Sequence, residues 1–219
     1  MSEMKIIGLF GVGQTDICIY LASILQNAGY RICVIDNSHE QTMQYCIPHP
    51  TEKLSTITYK KIDYECQVPV EHWQEKDYDY LIVDLGVLPA RETLCACKEI
   101  FLVTDCTVTQ VHRYRELMKP MALPMNVILR DVCPEAVSAR RVFALLQEEN
   151  CFVVDSYVLP LSEEDIAGRF SMQHQGYHSF THLSVPFEKM LVKICRGLAE
   201  CEESLLWRGF KQARKGACA

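Results

Sequence analysis

The stretch that decides the fold reads Gly8-Leu9-Phe10-Gly11-Val12-Gly13-Gln14-Thr15. It closes an apolar run over residues 5–10 that is typical of a buried strand, and it opens an amphipathic run over residues 15–28 that is typical of a helix. Its glycines let the backbone turn tightly, so successive N–H groups converge at the positive end of the helix dipole. The sequence therefore predicts a strand–loop–helix unit whose loop faces an anion.

Apolar and amphipathic runs continue to alternate along the rest of the chain. Strand-like runs cover residues 31–36, 80–85, 100–104, 126–129 and 152–159, and helix-like runs cover residues 109–119, 135–149 and 186–199. Most strand-like runs are continuously apolar, as expected of strands buried on both faces. This alternation predicts an α/β fold, a three-layer, doubly wound and mainly parallel sheet joined by right-handed crossovers. Residues 54–59 are expected to add a strand, and residues 67–76 to form a loop or a short helix.

Composition narrows the class of protein. The chain has 219 residues, of which 49% are hydrophobic and 23% are charged, with a net charge of −6. This length supports one independently folded core, and the apolar content excludes a disordered chain. No apolar run reaches the roughly 18–20 residues of a membrane span, and the first residues lack the features of a signal peptide. The acidic balance argues against nucleic acid as the main partner. We expect a cytoplasmic globular protein.

The loop matches the Walker A pattern of phosphate-binding loops at all but one chemically important position. Gly8 and Gly13 hold the glycine positions, and Thr15 stands where the hydroxyl that ligates Mg²⁺ belongs. The lysine that should reach the terminal phosphates is replaced by Gln14, and Asp16 adds a negative charge beside it. The prediction is a phosphate loop that keeps its geometry but lacks its charge. Its candidate nucleotide-binding residues are Gly11, Val12, Gly13, Gln14, Thr15 and Asp16.

The order of the landmarks resembles the MinD/ParA family of deviant Walker A ATPases, including its pilus-positioning TadZ/CpaE relatives. The resemblance spans residues 4 to about 197 and rests on the loop, on segments ending in Asp36 and Asp84, and on residues 100–104 and 158–160. It implies a P-loop NTPase-like domain over residues 1–200. It also implies that Thr15, Asp36 and Asp84 would hold Mg²⁺ if a nucleotide binds, and that Asp36 would be catalytic if the site is active. A homodimer and protein partners of a larger assembly are further implications.

Several positions depart from the family pattern. The signature lysine that reaches across a dimer to the partner's nucleotide is Leu9, and the glycine expected next is Phe10. The second acidic position after the second strand is Ser38, and Arg130 replaces the asparagine that reads the adenine base. With Leu9 and Gln14, both phosphate-handling lysines are missing. Each charge-assisted hydrogen bond contributes about 1.5–3 kcal/mol, so nucleotide affinity should fall by roughly 10²–10⁴-fold. Hydrolysis should fall further, because phosphoryl transfer depends on positioned positive charge.

Three functional interpretations follow. The leading one is a non-hydrolysing scaffold or spatial regulator in a bacterial secretion, pilus or positioning system, with no required cofactor. The second is an ATPase that binds Mg-ATP or Mg-ADP and runs a nucleotide-dependent dimer cycle. The third is a metal-cluster carrier of the same fold, with Cys95, Cys97 or Cys133 as ligands.

Residues 201–219 form a predicted basic amphipathic tail. Residues 205–219 contain four basic and no acidic side chains, which leaves the rest of the chain at −10. Such a segment is typical of an interfacial anchor, so we expect it to contact an anionic membrane, at the inner face, or a partner. The alternative, in which Trp207 and Phe210 pack on the body of the protein, remains open. The candidate contact residues are Leu206, Trp207, Phe210, Lys211, Arg214 and Lys215.

Cysteine and histidine offer weaker signals. The twelve cysteines include no Cys-x-x-Cys pair, so we expect free and mostly buried thiols. His174, His178 and His182 recur every four residues, as on one helical face, but Gly176 and Pro186 favour a surface loop over a helix or a metal site.

Overall fold

One eight-stranded sheet runs through the part of the chain that the computed structural model describes, which is residues 4–48, 55–75, 77–120, 122–147, 152–176, 179–181, 183–199 and 201–216. Its strands are β1 (Lys5–Gly11), β2 (Ile32–Asp36), β3 (Thr56–Tyr59), β4 (Ile62–Cys66), β5 (Tyr80–Asp84), β6 (Glu99–Thr104), β7 (Pro124–Val132) and β8 (Phe152–Pro160). Their order is β3-β4-β2-β5-β1-β6-β7-β8, and all neighbours are parallel except β3 and β4. The loop after β1 therefore lies at the carboxyl edge, near the middle of the sheet.

Helices cover both faces of this sheet. They are α1 (Thr15–Asn27), α2 (Arg91–Cys95), α3 (Val108–Met118), α4 (Ala139–Gln147), α5 (Glu163–Gln175), α6 (Val185–Leu198) and α7 (Glu203–Arg214), with short 3₁₀ helices at Thr42–Tyr45 and Val70–Glu75. Side chains of β1 alternate between two cores: Ile7 and Leu9 pack with α1, α6 and α7, whereas Ile6 and Phe10 pack with α3 and α4. The predicted three-layer, mainly parallel α/β architecture is confirmed.

The structure contains the strands and α-helices predicted from the sequence, and three more that were not predicted. The predicted strands and helices are found close to their predicted bounds, but β4, α2 and α5 were missed. The sequence does not predict β4 because its residues alternate between apolar and polar instead of forming a continuous apolar run, and it does not predict α5 because this helix lacks a clear apolar face. The surface-loop prediction is wrong for His174, which lies in α5. His178 and His182 fall outside the described residues.

The prediction of mostly buried cysteines is also wrong. Of the ten cysteines in the described ranges, all free, only four are buried: Cys18, Cys33, Cys46 and Cys195. The thiols of Cys66 and Cys95 are exposed. The cause is position, because these two residues lie at the ends of β4 and α2 rather than inside apolar elements.

The expected boundary between residues 200 and 201 falls between α6 and α7. Leu206 and Phe210 of α7 belong to the same buried cluster as α1 and α6, so the two segments share one core. No helix within the described ranges is long and apolar enough to cross a bilayer.

Candidate functional site

The loop after β1 is held by the two strands that flank it. Gly11 N–H donates to the carbonyl of Gly86, and Val12 N–H donates to the carbonyl of Val103, both at 2.8 Å. Gly11 has a φ of +122°, and a Cβ placed there would overlap the carbonyl oxygen of Val103. Only glycine fits this position, because the backbone conformation and the close approach both exclude a side chain.

The side chains that follow the loop point at one carboxylate. Gln14 Nε2 donates to Asp84 Oδ1 at 2.8 Å, Thr15 Oγ1 donates to Asp84 Oδ2 at 2.6 Å, and Gly86 N–H donates to Oδ1 at 3.0 Å. All these groups are buried. The amide at position 14 is thus committed to a neighbouring strand instead of presenting a cation to a ligand.

Asp36 completes the cluster of predicted magnesium ligands. It ends β2 and stands in register with Asp84 of β5, and both carboxylates are fully buried. Its Oδ1 accepts from the Ser38 N–H at 3.0 Å and from the Ser38 hydroxyl at 2.5 Å, and its Oδ2 accepts from Met43 N–H at 3.0 Å. Ser38, which stands where a second acid was expected, therefore binds Asp36 directly.

Burial controls the protonation of these two acids. Burial and, to a smaller extent, the nearby Asp36 raise the pKa of Asp84, whereas hydrogen bonds from Thr15, Gln14 and Gly86 lower it, and the net result is a pKa of about 6. Burial likewise raises the pKa of Asp36, against the hydrogen bonds from Ser38 and Met43. The ionised form of Asp84 is consequently an unfavourable buried charge at neutral pH.

Arg130 neutralises the other acid of the loop. Its Nη1 and Nη2 donate to the two oxygens of Asp16 at 2.9 and 3.1 Å, and Nη1 also donates to the Gly13 carbonyl. The guanidinium lies 5.6 Å from the ring centre of Phe187. Both members of the pair are almost fully buried. The sequence predicts Arg130 at the adenine base, whereas the structure places its side chain against the loop, bound to Asp16, which lies 114 positions away in the chain.

A second arginine, Arg169 of α5, reaches the loop, and it is not among the residues that the sequence predicts at this site. Its Nη1 lies 2.9 Å from where a Cβ on Gly13 would stand, and its Nη2 lies 3.7 Å from Asp131 Oδ2. The helix that carries it is capped by Ser162, whose hydroxyl accepts from the N–H of Asp165. The Ser-x-x-Asp spacing is a helix-start signal that would have revealed this element.

The space above the loop is small. The cavity has a volume of about 180 Å³ and is lined by residues 11–16 together with Glu40, Arg169 and others. Pockets for organic ligands usually measure about 300–1,000 Å³. Thr15, Asp36 and Asp84 offer the oxygen ligands that Mg²⁺ prefers, but Thr15 and Gln14 are bonded to Asp84, and both oxygens of Asp36 already accept hydrogen bonds. In this arrangement the residues do not fit a magnesium–nucleotide complex.

Comparison with known proteins shows which solved structures have a similar fold. No protein-family model and no curated protein matches the chain, but several solved structures do. A chain of the MinC:MinD cell division complex from Aquifex aeolicus has a TM-score of 0.64 at 14% identity, over 89% of this chain and 95% of that chain. The ParA family ATPase from Chlorobium tepidum has a TM-score of 0.63 at 14% identity, over 97% and 98%. A Cyanothece McdA variant in complex with ATP has a TM-score of 0.60 at 13% identity, over 92% and 100%.

The chain has the MinD/ParA fold. At such identities the likeness shows the fold alone, so function has to be argued from the residues of the site. Around the loop that follows β1, the structure brings together the residues predicted to bind nucleotide and magnesium, including the distant Asp36, Asp84 and Arg130.

Metal-cluster chemistry finds no support in the described ranges, where no group of three or more His, Cys, Asp or Glu side chains could hold a metal ion. Cys97 is instead hydrogen bonded to the carbonyl of Thr93 and packs against a hydrophobic core.

The C-terminal helix α7 packs against the carboxyl end of α1, the helix whose amino end follows the phosphate loop. Leu206 and Phe210 are buried, and a Cβ on Gly209 would lie 2.7 Å from the carbonyl oxygen of Ile24 in α1. Arg214 forms an ion pair of 2.9 Å with Glu188 of α6. Trp207 is half-buried, and Lys211 and Lys215 are exposed. The structure thus separates the predicted contact residues into an inward apolar set and an outward cationic set.

Proposed function

We propose that this protein is a non-hydrolysing scaffold or spatial regulator with a degenerate Walker A loop, acting in a bacterial secretion, pilus or positioning system. The observation that carries the proposal is the hydrogen bond from Gln14 to Asp84. Where a competent loop presents a cation to the terminal phosphates, this loop presents a neutral amide that is already bound to the carboxylate expected to serve Mg²⁺. Transition-state charge on a phosphoryl group would find no compensating partner at position 14.

Internal contacts support this proposal because they hold the loop without a ligand. The pair of Arg130 and Asp16 and the bonds of Gln14 and Thr15 to Asp84 join the loop to β5 and β7. A loop stabilised by its own side chains gains little order from a nucleotide. We infer that the folded state relevant to function is the nucleotide-free one.

A scaffold acts through surfaces, and the edge of the sheet that carries the loop exposes apolar side chains. Leu88, Val108 and Leu161 follow the carboxyl ends of β5, β6 and β8 and are each at least half exposed. Exposed apolar groups gathered on one side of a molecule favour protein association. We propose that this edge forms a homodimer that does not need nucleotide. Light scattering after size exclusion, with and without Mg-ATP, tests this, and an ATP-induced shift from monomer to dimer would contradict it.

Protein partners in a larger assembly are also proposed. One neighbouring structure is a complex of MinD with MinC, so the fold is compatible with binding another protein chain. The proposed localisation is the cytoplasm, with peripheral contact at the inner face of the membrane. Insertion of α7 into an anionic membrane would require it to leave α1, because Leu206 and Phe210 are buried there.

A second candidate function, weak ATP binding and hydrolysis with Mg-ATP or Mg-ADP as ligand, is favoured by one observation. The guanidinium of Arg169 lies beside Gly13 and lines the cavity above the loop. It offers a cation that the sequence pattern of the loop lacks. Its ion pair with Asp131 reduces the charge it can give to a ligand.

Phosphate release and calorimetric titration with Mg-ATP separate the two candidates. We expect no turnover by the unmodified protein. The Gln14→Lys variant should bind ATP roughly 10–100-fold more tightly, as one charge-assisted hydrogen bond allows, and still not turn over. The matched control is Gln147→Lys, which adds the same charge at an exposed position of α4. Hydrolysis by the unmodified chain, abolished by Arg169→Gln, would establish the second candidate instead.

A further inference from the structure

The outer face of α7 carries three cations without an ion-pair partner among the residues that the structure describes. Arg208, Lys211 and the C-cap residue Lys215 are exposed, and their spacing of three and four residues places them along one side of the helix. We call these three residues the cationic stripe. The other basic residue of the helix, Arg214, is already paired with Glu188.

The orientation of the stripe is set by the packing on the opposite side of α7. Phe210 is buried against Phe180, with ring centres 5.4 Å apart, and Gly209 allows the helix to approach the backbone of α1 closely. An ion pair of 2.7 Å between Arg196 and Glu203 joins the start of α7 to α6. Rotation of the helix would expose its apolar face, so the stripe faces solvent whenever the domain is folded.

The same face of α7 borders an open surface space of about 630 Å³, lined by the three cations together with Ser204, Trp207 and Gln212. The indole N–H of Trp207 donates to Glu203 at 3.2 Å, and its ring packs edge-on against Phe210. This fixed aromatic side chain places an apolar surface next to the charges of the stripe. Tryptophan and arginine are among the side chains that are enriched at protein–protein contacts, whereas lysine is depleted there.

We propose that the cationic stripe binds an acidic helical segment of a partner protein. Carboxylates repeated at three- and four-residue intervals on one face of a helix match the spacing of Arg208, Lys211 and Lys215, and the partner's aliphatic carbons can cover Trp207. A membrane is the weaker fit, because stable interfacial binding needs apolar burial and the apolar face of α7 is occupied. The proposal goes beyond the scaffold function and is independent of the state of the phosphate loop.

The test uses the full chain and a synthetic peptide of alanine and glutamate whose glutamates fall on one helical face, with binding followed by fluorescence anisotropy. A peptide of the same composition with scrambled glutamate positions is the first control. We expect the one-face peptide to bind at least tenfold more tightly than the scrambled one, and binding to weaken with salt. Equal binding of the two peptides, or no binding of either, would overturn the proposal.

Variants separate the stripe from net charge. The triple variant Arg208→Gln, Lys211→Gln and Lys215→Gln should lose at least tenfold in affinity. The matched control is Lys98→Gln, Arg140→Gln and Arg141→Gln, which removes the same charge from exposed positions elsewhere and should change affinity less than twofold. Comparable losses in both triples would refute a specific site. Co-sedimentation with phosphatidylserine vesicles forms the other arm: stripe-dependent pelleting without peptide binding would assign the stripe to lipid.

Discussion

Replacing Asp84 by asparagine is expected to stabilise the protein at neutral pH. The carboxylate of Asp84 is fully buried, and its partners are an amide, a hydroxyl and a backbone N–H. Asparagine preserves this geometry, because its oxygen can accept from Gln14 and Gly86 while its Nδ2 donates to the hydroxyl of Thr15. The substitution therefore removes the buried charge and keeps the packing.

The magnitude follows from the pKa. Folding raises the pKa of Asp84 from 3.8 to about 6, and at 1.36 kcal/mol per unit this corresponds to a penalty of about 3 kcal/mol for the ionised native state. Because the native state binds this proton more tightly than the unfolded state, the penalty is absent below about pH 4. It grows as the pH rises and is complete above about pH 6. The asparagine variant should therefore gain up to about 3 kcal/mol over the native chain above that pH, and almost nothing below about pH 4.

Urea unfolding at several pH values measures this difference, with the free energy of unfolding obtained by linear extrapolation. Glu71→Gln, which neutralises an exposed carboxylate, is the matched control and should show no such pH-dependent gain. If Asp84→Asn is less stable than the native chain at neutral pH, or its gain does not vary with pH, the carboxylate is stabilised by something other than the contacts described above. Stabilisation of the native chain by Mg²⁺ that is lost in the variant would point to a bound cation and against the scaffold proposal.

Three further predictions concern the loop and the C-terminal helix. Gly11→Ala should lower the free energy of unfolding in urea by about 1–3 kcal/mol or more, because Gly11 has a positive φ and a close backbone contact. The control is Gly197→Ala, which lies in open space within α6 and should raise that free energy by about 0.5–1 kcal/mol. Arg130→Met should cost about 3–5 kcal/mol by leaving Asp16 buried and unpaired, and the double variant with Asp16→Asn should recover much of that loss. Phe210→Ala should cost about 3–5 kcal/mol if α7 is docked as described, and an unchanged midpoint would show that the helix is detached in solution.

Local signals were enough to predict the central unit of the fold. A continuous apolar run predicts β1, an amphipathic run predicts α1, and the glycines between them predict the loop. These inferences succeed because hydrophobic periodicity and turn-forming residues can be recognised within a short stretch of sequence, although β1 itself is completed by pairing with the distant strands β5 and β6. The polar helix α5 is not predicted, because it has no clear apolar pattern along the sequence. Its stability comes from docking and from its cap at Ser162.

Sequence alone also determined which charges the loop lacks, because Leu9 and Gln14 can be read directly from the pattern. Only the tertiary structure decided what replaces them. Gln14 binds a carboxylate 70 positions away, and Asp16 is neutralised by an arginine 114 positions away. Burial of Phe210 likewise depends on α1 and on Phe180, which no local pattern of α7 specifies. The physical reason is that hydrogen bonds, ion pairs and burial depend on distance in space, and the parallel sheet brings the carboxyl ends of β1, β2, β5 and β7 together from distant parts of the chain.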